Sequence, residues 1–340
     1  MSSFVKSNIP EDSSPHTAAD WIEFKVLSSN TASYNISSLA RILEQRADVD
    51  TTAYAQEDLK YDDIAARWLQ EIELREKYIG NAYPFVLEGN KVSLKTASIE
   101  NKPGQYTYFL CLMLSHAKNT AALDGKSFLN LDSNDVARKY FQSVSTVACG
   151  GYIRGHSISF GFPRQNNTNF VEALSRVTDL SQDGASLRSD AHAASPAKVE
   201  DYEIDIISWI PSNDNLPGKI FFIGQVASGF NWRSKSLRPT IIGNLSPWID
   251  PCFASHSNIS TCLFIPFCLP EVPRHSLKEE LHYLCSADLN NLIFYRYRIP
   301  YYVQRVMDEQ LYDRGLTVEG IEDFTNIYEW VDEKINLLKT

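Results

Sequence analysis

The stretch DYEIDIISWIPSNDNLPGKIFFIGQVASGFNWRSK, Asp201 to Lys235, decides the reading of the chain. Two apolar runs, Glu203–Ile210 and Lys219–Ala227, flank the break PSNDNLPG. The runs are rich in Ile, Phe and Val, and the break is built from Pro, Ser, Asn, Asp and Gly. Strand formers on both sides of turn formers predict a β-hairpin with a long loop. Each run carries a polar residue in an apolar setting: Asp205 between Ile204 and Ile206, and Gln225 two positions before Ala227. Side chains alternate across a strand, so Gln225 and Ala227 share a face. A register that pairs the hairpin can set Asp205 beside Gln225. A carboxylate and an amide oxygen converging in an apolar sheet make a seat for a hard divalent ion.

This arrangement resembles the PD-(D/E)XK nuclease superfamily, whose core carries an Asp on one strand and (Glu or Gln)-x-Lys on the next. Asp205 matches the Asp and Gln225 the Glu or Gln, whereas Ala227 falls where the Lys belongs. The wider text, DYEIDIISW followed by GKIFFIGQVASGFNW and then Lys235, is similar to a bacterial defence-type subgroup with a Gln-x-Ala strand and a displaced Lys after Asn-Trp. The resemblance implies a restriction-endonuclease-like α/β sandwich with a central mixed sheet. It also implies a Mg²⁺- or Mn²⁺-dependent DNA endonuclease in an anti-phage defence system. Asp205 is then the main metal ligand, Gln225 a neutral oxygen ligand, and the Val226 backbone carbonyl a third. A helix ahead of the Asp strand supplies a further acid, Glu172, with Asp183 as runner-up. Lys235 takes the part of the missing Lys, and Arg233 with Lys235 meets the nucleic-acid phosphates. The other reading of Arg233 and Lys235 is exposed residues, or phosphate binding without chemistry. Partners implied are DNA, a protein of the same defence system, and a second copy of the chain. The alternative function is a catalytically inactive nuclease-fold subunit that binds nucleic acid or scaffolds a defence complex.

The chain has 340 residues, enough for about two domains, with 44% hydrophobic and 22% charged residues. The formal net charge of -10 argues against non-specific nucleic-acid binding and requires any basic groove to be local. The six cysteines are scattered, without a CxxC pair, and read as buried free thiols of a reducing cytoplasm. No signal peptide is visible at MSSFVKSNIPEDSSPHT, and no apolar run approaches the roughly twenty residues of a membrane span, so a cytoplasmic protein without membrane contact is expected.

In order, residues 1–18 read as a flexible arm. Residues 19–120 read as a mainly helical N-terminal domain, with helices at Ser37–Gln45, Glu57–Tyr78 and Tyr106–His116. Residues 121–340 read as the nuclease-like domain with C-terminal helices. There Ser133–Val147 is expected as a helix, Gly150-Gly151 as a chain reversal, Asn169–Leu180 as a helix and Ser181–Ala197 as a loop. Thr261–Leu269 reads as a strand buried on both faces, and His275–Ala287 as a helix. Asn291–Ile299 reads as a strand ended by Pro300, and Ile321–Lys339 as a closing helix. Trp232 reads as core. Tyr295, Arg296, Tyr297 and Arg298 suit either nucleic-acid contact or an edge strand. HExxH and GxSxG motifs are absent, and His275 with His282 does not make a zinc site.

Overall fold

The computed structural model describes residues 4–36, 54–95, 102–131, 136–161, 164, 168–188, 203–214, 216–235, 245, 247–250, 259–269, 277–286 and 292–340. The chain is mixed α/β and divides into two units, Met1–Asp135 with Asn326–Thr340, and Val136–Thr325. The first unit reaches past residue 120 because Leu123 bridges Val5 and Asp124 bridges Asn119. The first bridge, with the Lys6 N–H donating to the Ala122 carbonyl at 3.1 Å, holds the segment to the N-terminal residues; the second is local.

In the first unit a helix starts at Pro15, where Ser14 caps by accepting the Thr17 N–H at 3.2 Å. Residues ahead of it are tied down, unlike the loose arm expected there. Val5 and Ile9 are buried, the Lys6 carbonyl accepts the Trp21 indole N–H at 2.8 Å, and the Phe4 carbonyl accepts the Asp124 N–H at 2.9 Å. The helix Tyr54–Ile79 buries Ile64, Trp68, Ile72 and Ile79, a stripe at helical spacing, and leaves Tyr78 exposed. Strands β1 (Ser33–Asn35), β2 (Phe85–Glu88) and β3 (Lys91–Leu94) form an antiparallel sheet in the order β1-β3-β2. Gly89, at φ +60°, turns the β2–β3 hairpin. The helix Pro103–Ser115 is buried along its whole length.

A charged cluster lies inside this unit. Arg75 is fully buried and spreads its guanidinium over three acids: Glu71 at 2.8 Å, Asp20 at 2.6 Å and Glu23 at 2.9 Å. Its Nη2 donates to the His16 carbonyl at 3.0 Å. Tyr83 and Tyr108 donate their hydroxyls to Glu23, His116 meets Asp20 at 2.8 Å, and His16 meets Glu71 at 2.7 Å. A buried ion survives only where its hydrogen-bonding capacity is met, and the planar guanidinium with its five donors suits that task. The helix Ser37–Gln45 expected from the sequence lies outside the described residues.

The second unit is built on a mixed sheet of strands β4 (His156–Ser159), β6 (Ile206–Ile210), β7 (Ile220–Val226), β9 (Ile259–Phe264) and β10 (Leu292–Phe294), in the order β10-β9-β7-β6-β4. The β6–β7 hairpin pairs Ile206 with Gly224 through Ile210 with Ile220. β9 lies parallel to β7, and β10 parallel to β9. One face packs Ile158, Ile207, Trp209, Phe221 and Ile223 against Phe170, Leu174 and Val177 of the helix Phe170–Ser181. On the other face the Ser157 and Ser208 hydroxyls meet at 2.8 Å, and Ser157 donates to the Thr146 carbonyl of the helix Val136–Ile153 at 2.6 Å. The sheet is thus covered by helix on both sides. A further two-stranded sheet pairs β5 (Ser186–Leu187), inside the stretch Ser181–Ala197 expected as loop, with β8 (Ile249–Asp250).

Two expectations give way to packing. Gly150 and Gly151 do not reverse the chain; they lie within the helix Val136–Ile153. A Cβ on Gly151 would stand 2.1 Å from the Tyr302 carbonyl oxygen, so glycine is what lets the helix Arg298–Asp308 approach. The run from Leu292 leaves the sheet after Phe294 and is helical from Arg298, with Pro300 in the first turn, where a missing N–H costs nothing. Tyr295, Arg296 and Tyr297 are buried, and Arg296 Nε donates to the Pro266 carbonyl at 3.1 Å. The Tyr-Arg interleaving is core rather than a nucleic-acid platform. The last helix, Phe324–Leu338, belongs from Asn326 to the first unit, where Asp332 accepts the Tyr106 hydroxyl at 3.0 Å.

Candidate functional site

The hairpin register ends at Ile206↔Gly224, one residue short of Asp205 and Gln225, at the open end of the hairpin. The Asp205 backbone is held from both sides. Its N–H donates to the Gly224 carbonyl at 2.9 Å, and its carbonyl accepts from Phe160 at 2.7 Å and Gly161 at 3.1 Å. Its carboxylate replaces the ladder beyond: Oδ2 accepts the Val226 N–H at 2.7 Å. A Cβ on Gly161 would stand 2.5 Å from Asp205 Oδ1 and 2.7 Å from Gln142 Nε2. Only glycine lets the chain after β4 pass that close to the carboxylate.

Gln225 is 4% exposed, and its Nε2 donates to Glu203 Oε2 at 3.4 Å. A carboxylate faces a donor, so Glu203 fixes the amide with its NH₂ inward to that contact and its oxygen turned away. That oxygen, Gln225 Oε1, is buried and has no hydrogen-bond partner among the described residues. Glu203 adopts a left-handed backbone at φ +63°, an uncommon conformation for a glutamate and one that concentrates at functional sites. Its other oxygen lies 4.0 Å from Lys235 Nζ. Lys235 follows a single 3₁₀ turn, Trp232–Ser234, rather than sitting on a helix. Trp232 is buried, as expected of core, and the exposed Arg233 guanidinium stacks 4.7 Å from its ring centroid. Phe230, 48% exposed, leans on Phe267 with centroids 5.0 Å apart.

The hairpin brings the Asp205 carboxylate to the Val226 backbone, with Gln225 next to Val226 in the chain, and Glu203 lies between Gln225 and Lys235. Glu172 lies in the first turn of the helix Phe170–Ser181. Its carboxylate closes a capping box, accepting the Asn169 N–H at 2.9 Å while its own N–H donates to Asn169 Oδ1 at 2.9 Å. No hydrogen bond joins it to Asp205 or Gln225 among the described residues. Asp183 accepts from the Gly218 and Lys219 N–H groups at 2.7 and 3.0 Å. That is the far end of β7 from Gln225, about 20 Å along the strand, so the runner-up acid pins the hairpin and holds no metal at Asp205. Ala227 is buried, and its N–H donates to the Phe264 carbonyl at 2.8 Å. Asp201, His192 and His275 lie outside the described residues. Sequence reasoning missed Gln142, Gly161 and Glu203. Gly161, in the run SFGF between two phenylalanines, carried the only local sign, since a glycine at a strand end marks close backbone approach.

The donors at this end are hard oxygens: the Asp205 carboxylate, the Gln225 amide oxygen and the Val226 carbonyl. A strand residue presents N–H and C=O to the same edge, so the Val226 carbonyl faces the Asp205 side, as its N–H does. Among the described residues no group of three or more His, Cys, Asp or Glu is placed to hold a metal ion. A site here rests on one carboxylate with neutral oxygens and water, a pattern that Mg²⁺ accepts and zinc does not. The orphaned Gln225 oxygen is the observation that fits such an ion. Among the described residues no helix is long and apolar enough to cross a membrane. No family model, curated protein or solved structure matches the chain.

Proposed function

We propose that the second unit is a metal-dependent nuclease of the restriction-endonuclease-like fold, hydrolysing DNA phosphodiesters as a component of a bacterial anti-phage system. The observation that carries the reading is the buried Gln225 oxygen, unpartnered among the described residues, next in the chain to Val226, whose N–H binds the Asp205 carboxylate. Leaving a buried acceptor unmade costs about 1–3 kcal/mol, which a cation at that place recovers. Asp205, Gln225 and the Val226 carbonyl hold Mg²⁺ or Mn²⁺; when bound, the ion polarises the phosphate and acidifies the attacking water. Asp205 is oriented by the Val226 N–H. Lys235, drawn toward the site by Glu203, supplies the positive charge that Ala227 cannot, and Arg233 adds to it at the phosphate backbone. The test is incubation of plasmid and single-stranded DNA with Mg²⁺, Mn²⁺ or chelator. Metal-dependent cleavage by the parent and none by Asp205→Asn is expected; equal cleavage by both overturns the assignment.

A second reading, a catalytically silent nuclease-fold subunit, is favoured by one observation: the Glu203 carboxylate lies 4.0 Å from Lys235 Nζ and competes for its charge. DNA retention without cleavage under every metal condition selects it.

A further inference from the structure

The helix Val136–Ile153 makes two polar contacts with β4, in step. The Thr146 carbonyl accepts the Ser157 hydroxyl at 2.6 Å, and one turn earlier Gln142 Nε2 donates to the Ser159 hydroxyl at 2.8 Å. Four residues of helix rise about 6 Å and two residues of strand about 6.6 Å, so helix and strand stay matched over that span. The match carries the half-buried Gln142 to the end of β4, and Gly161 follows two residues beyond Ser159. The position that a Cβ on Gly161 would take lies 2.5 Å from Asp205 Oδ1, 2.7 Å from Gln142 Nε2 and 3.0 Å from Gln142 Oε1. The carboxylate and the amide thus flank one narrow space, which glycine leaves open. Ser159 occupies the donor end of the amide, and Oε1 is its accepting end.

We infer that Gln142 belongs to the cation site: its amide oxygen accepts from a water on the divalent ion that Asp205 holds, and Ser159 keeps the amide turned for that task. The inference rests on the reading of Asp205 as a cation ligand and adds a residue that this reading does not use. Mg²⁺ keeps several of its waters when few protein oxygens reach it, so an acceptor beside the carboxylate has a water to hold. Groups that steady a metal's ligands in this way are worth about 10–100-fold in metal affinity.

The experiment is titration of the full chain with Mn²⁺, without DNA, read by electron paramagnetic resonance of the free ion. The parent should bind Mn²⁺ and Asp205→Asn should lose it. Gln142→Leu should weaken binding by about tenfold. Gln142→Glu sets a carboxylate where the amide was and should tighten binding by about tenfold, since charge on the ligand set tunes affinity for a hard cation. A merely structural role, tying the helix to β4, predicts no gain from Gln142→Glu. If Gln142→Leu fails to fold, Gln142→Glu carries the test. Parent-like affinity in both folded Gln142 variants, with Mn²⁺ lost in Asp205→Asn, overturns the inference and leaves the cation site standing. Weakening in Gln142→Leu without tightening in Gln142→Glu makes Gln142 a strut of the helix and overturns it too. Binding retained by Asp205→Asn, or absent from both the parent and Gln142→Glu, removes the Asp205 reading and this inference with it. The expected order of affinities in a protein that cuts no DNA supports the inference and discards the nuclease reading.

Discussion

Gln225 is oriented by Glu203: its amide nitrogen points at the Glu203 carboxylate, 3.4 Å away, and its oxygen is left buried without a partner among the described residues. Glu203 holds that place at a backbone cost, with φ +63°. Replacing Glu203 with Gly relieves the left-handed conformation, while Ala keeps it. Glu203→Gly is therefore expected to be about 1 kcal/mol more stable than Glu203→Ala in urea denaturation, although both lose the same carboxylate. Equal midpoints would place the strain elsewhere.

Asp205 has two duties that different substitutions separate. Asp205→Ala removes the acceptor of the Val226 N–H and should cost about 1–3 kcal/mol of stability on top of any lost activity. Asp205→Asn retains an oxygen for that N–H and should fold like the parent, yet cleave at least about a hundredfold more slowly. Cleavage rate and urea midpoint, measured on both proteins, check the separation.

Gly161 leaves no room for a side chain beside the carboxylate. Gly161→Ala should displace Asp205 or Gln142, destabilise the second unit by about 1–3 kcal/mol and reduce metal-dependent activity. Gly80 is the control, since nothing lies within 4 Å of a Cβ there, although its φ of +61° still penalises alanine. Its replacement should affect stability and spare the chemistry.

The second unit should lose stability in mild acid. Burial holds the His156 imidazole below its usual value, and the Lys219 ammonium lowers it further. The ring stacks on Trp209, with centroids 4.9 Å apart, and its Nδ1 accepts the Thr317 N–H at 3.0 Å, which only the unprotonated nitrogen can do. The folded value is depressed, so the contribution is present above about pH 6.5, the unfolded value, and is lost as pH falls through the lower folded one. Urea midpoints measured across this range should fall toward acid, and His156→Asn should flatten that limb.

Arg75 tests the first unit. Arg75→Met leaves Asp20, Glu23 and Glu71 buried without their shared guanidinium and should cost about 3–5 kcal/mol. Adding Asp20→Asn and Glu71→Gln to Arg75→Met should recover part of that loss. Calorimetry of the three proteins decides whether the cluster is held by charge balance.

The hairpin was legible because strand formers, turn formers and the polar pair Asp205 and Gln225 all occur within one short stretch, and local pattern controls local structure. The stripe Ile64, Trp68 and Ile72 was legible for the same reason. Other features depend on partners distant in sequence. Gly150-Gly151 reads as a turn until Tyr302 is placed against it, and Tyr295 to Tyr297 read as surface until Pro266 supplies a carbonyl to Arg296. Glu172 looked like a spare acid near the right strand, but the three-residue spacing to Asn169 made it a cap, a signal present in the sequence and outweighed by the resemblance. The Arg75 cluster joins helices some fifty residues apart in the chain, and no periodicity announces it.

In the five-stranded sheet only β6 runs against the others, so β4, β7, β9 and β10 all discharge their chains toward one rim. Gly161, the segment from Ala227 to Lys235, and Ile265 to Phe267 all leave from that rim, where Asp205 enters β6. Open α/β sheets hold ligands at such a rim. Change in those connectors can alter what is gripped there while the paired strands beneath stay as they are, so a new specificity can arise in this architecture without rebuilding its foundation.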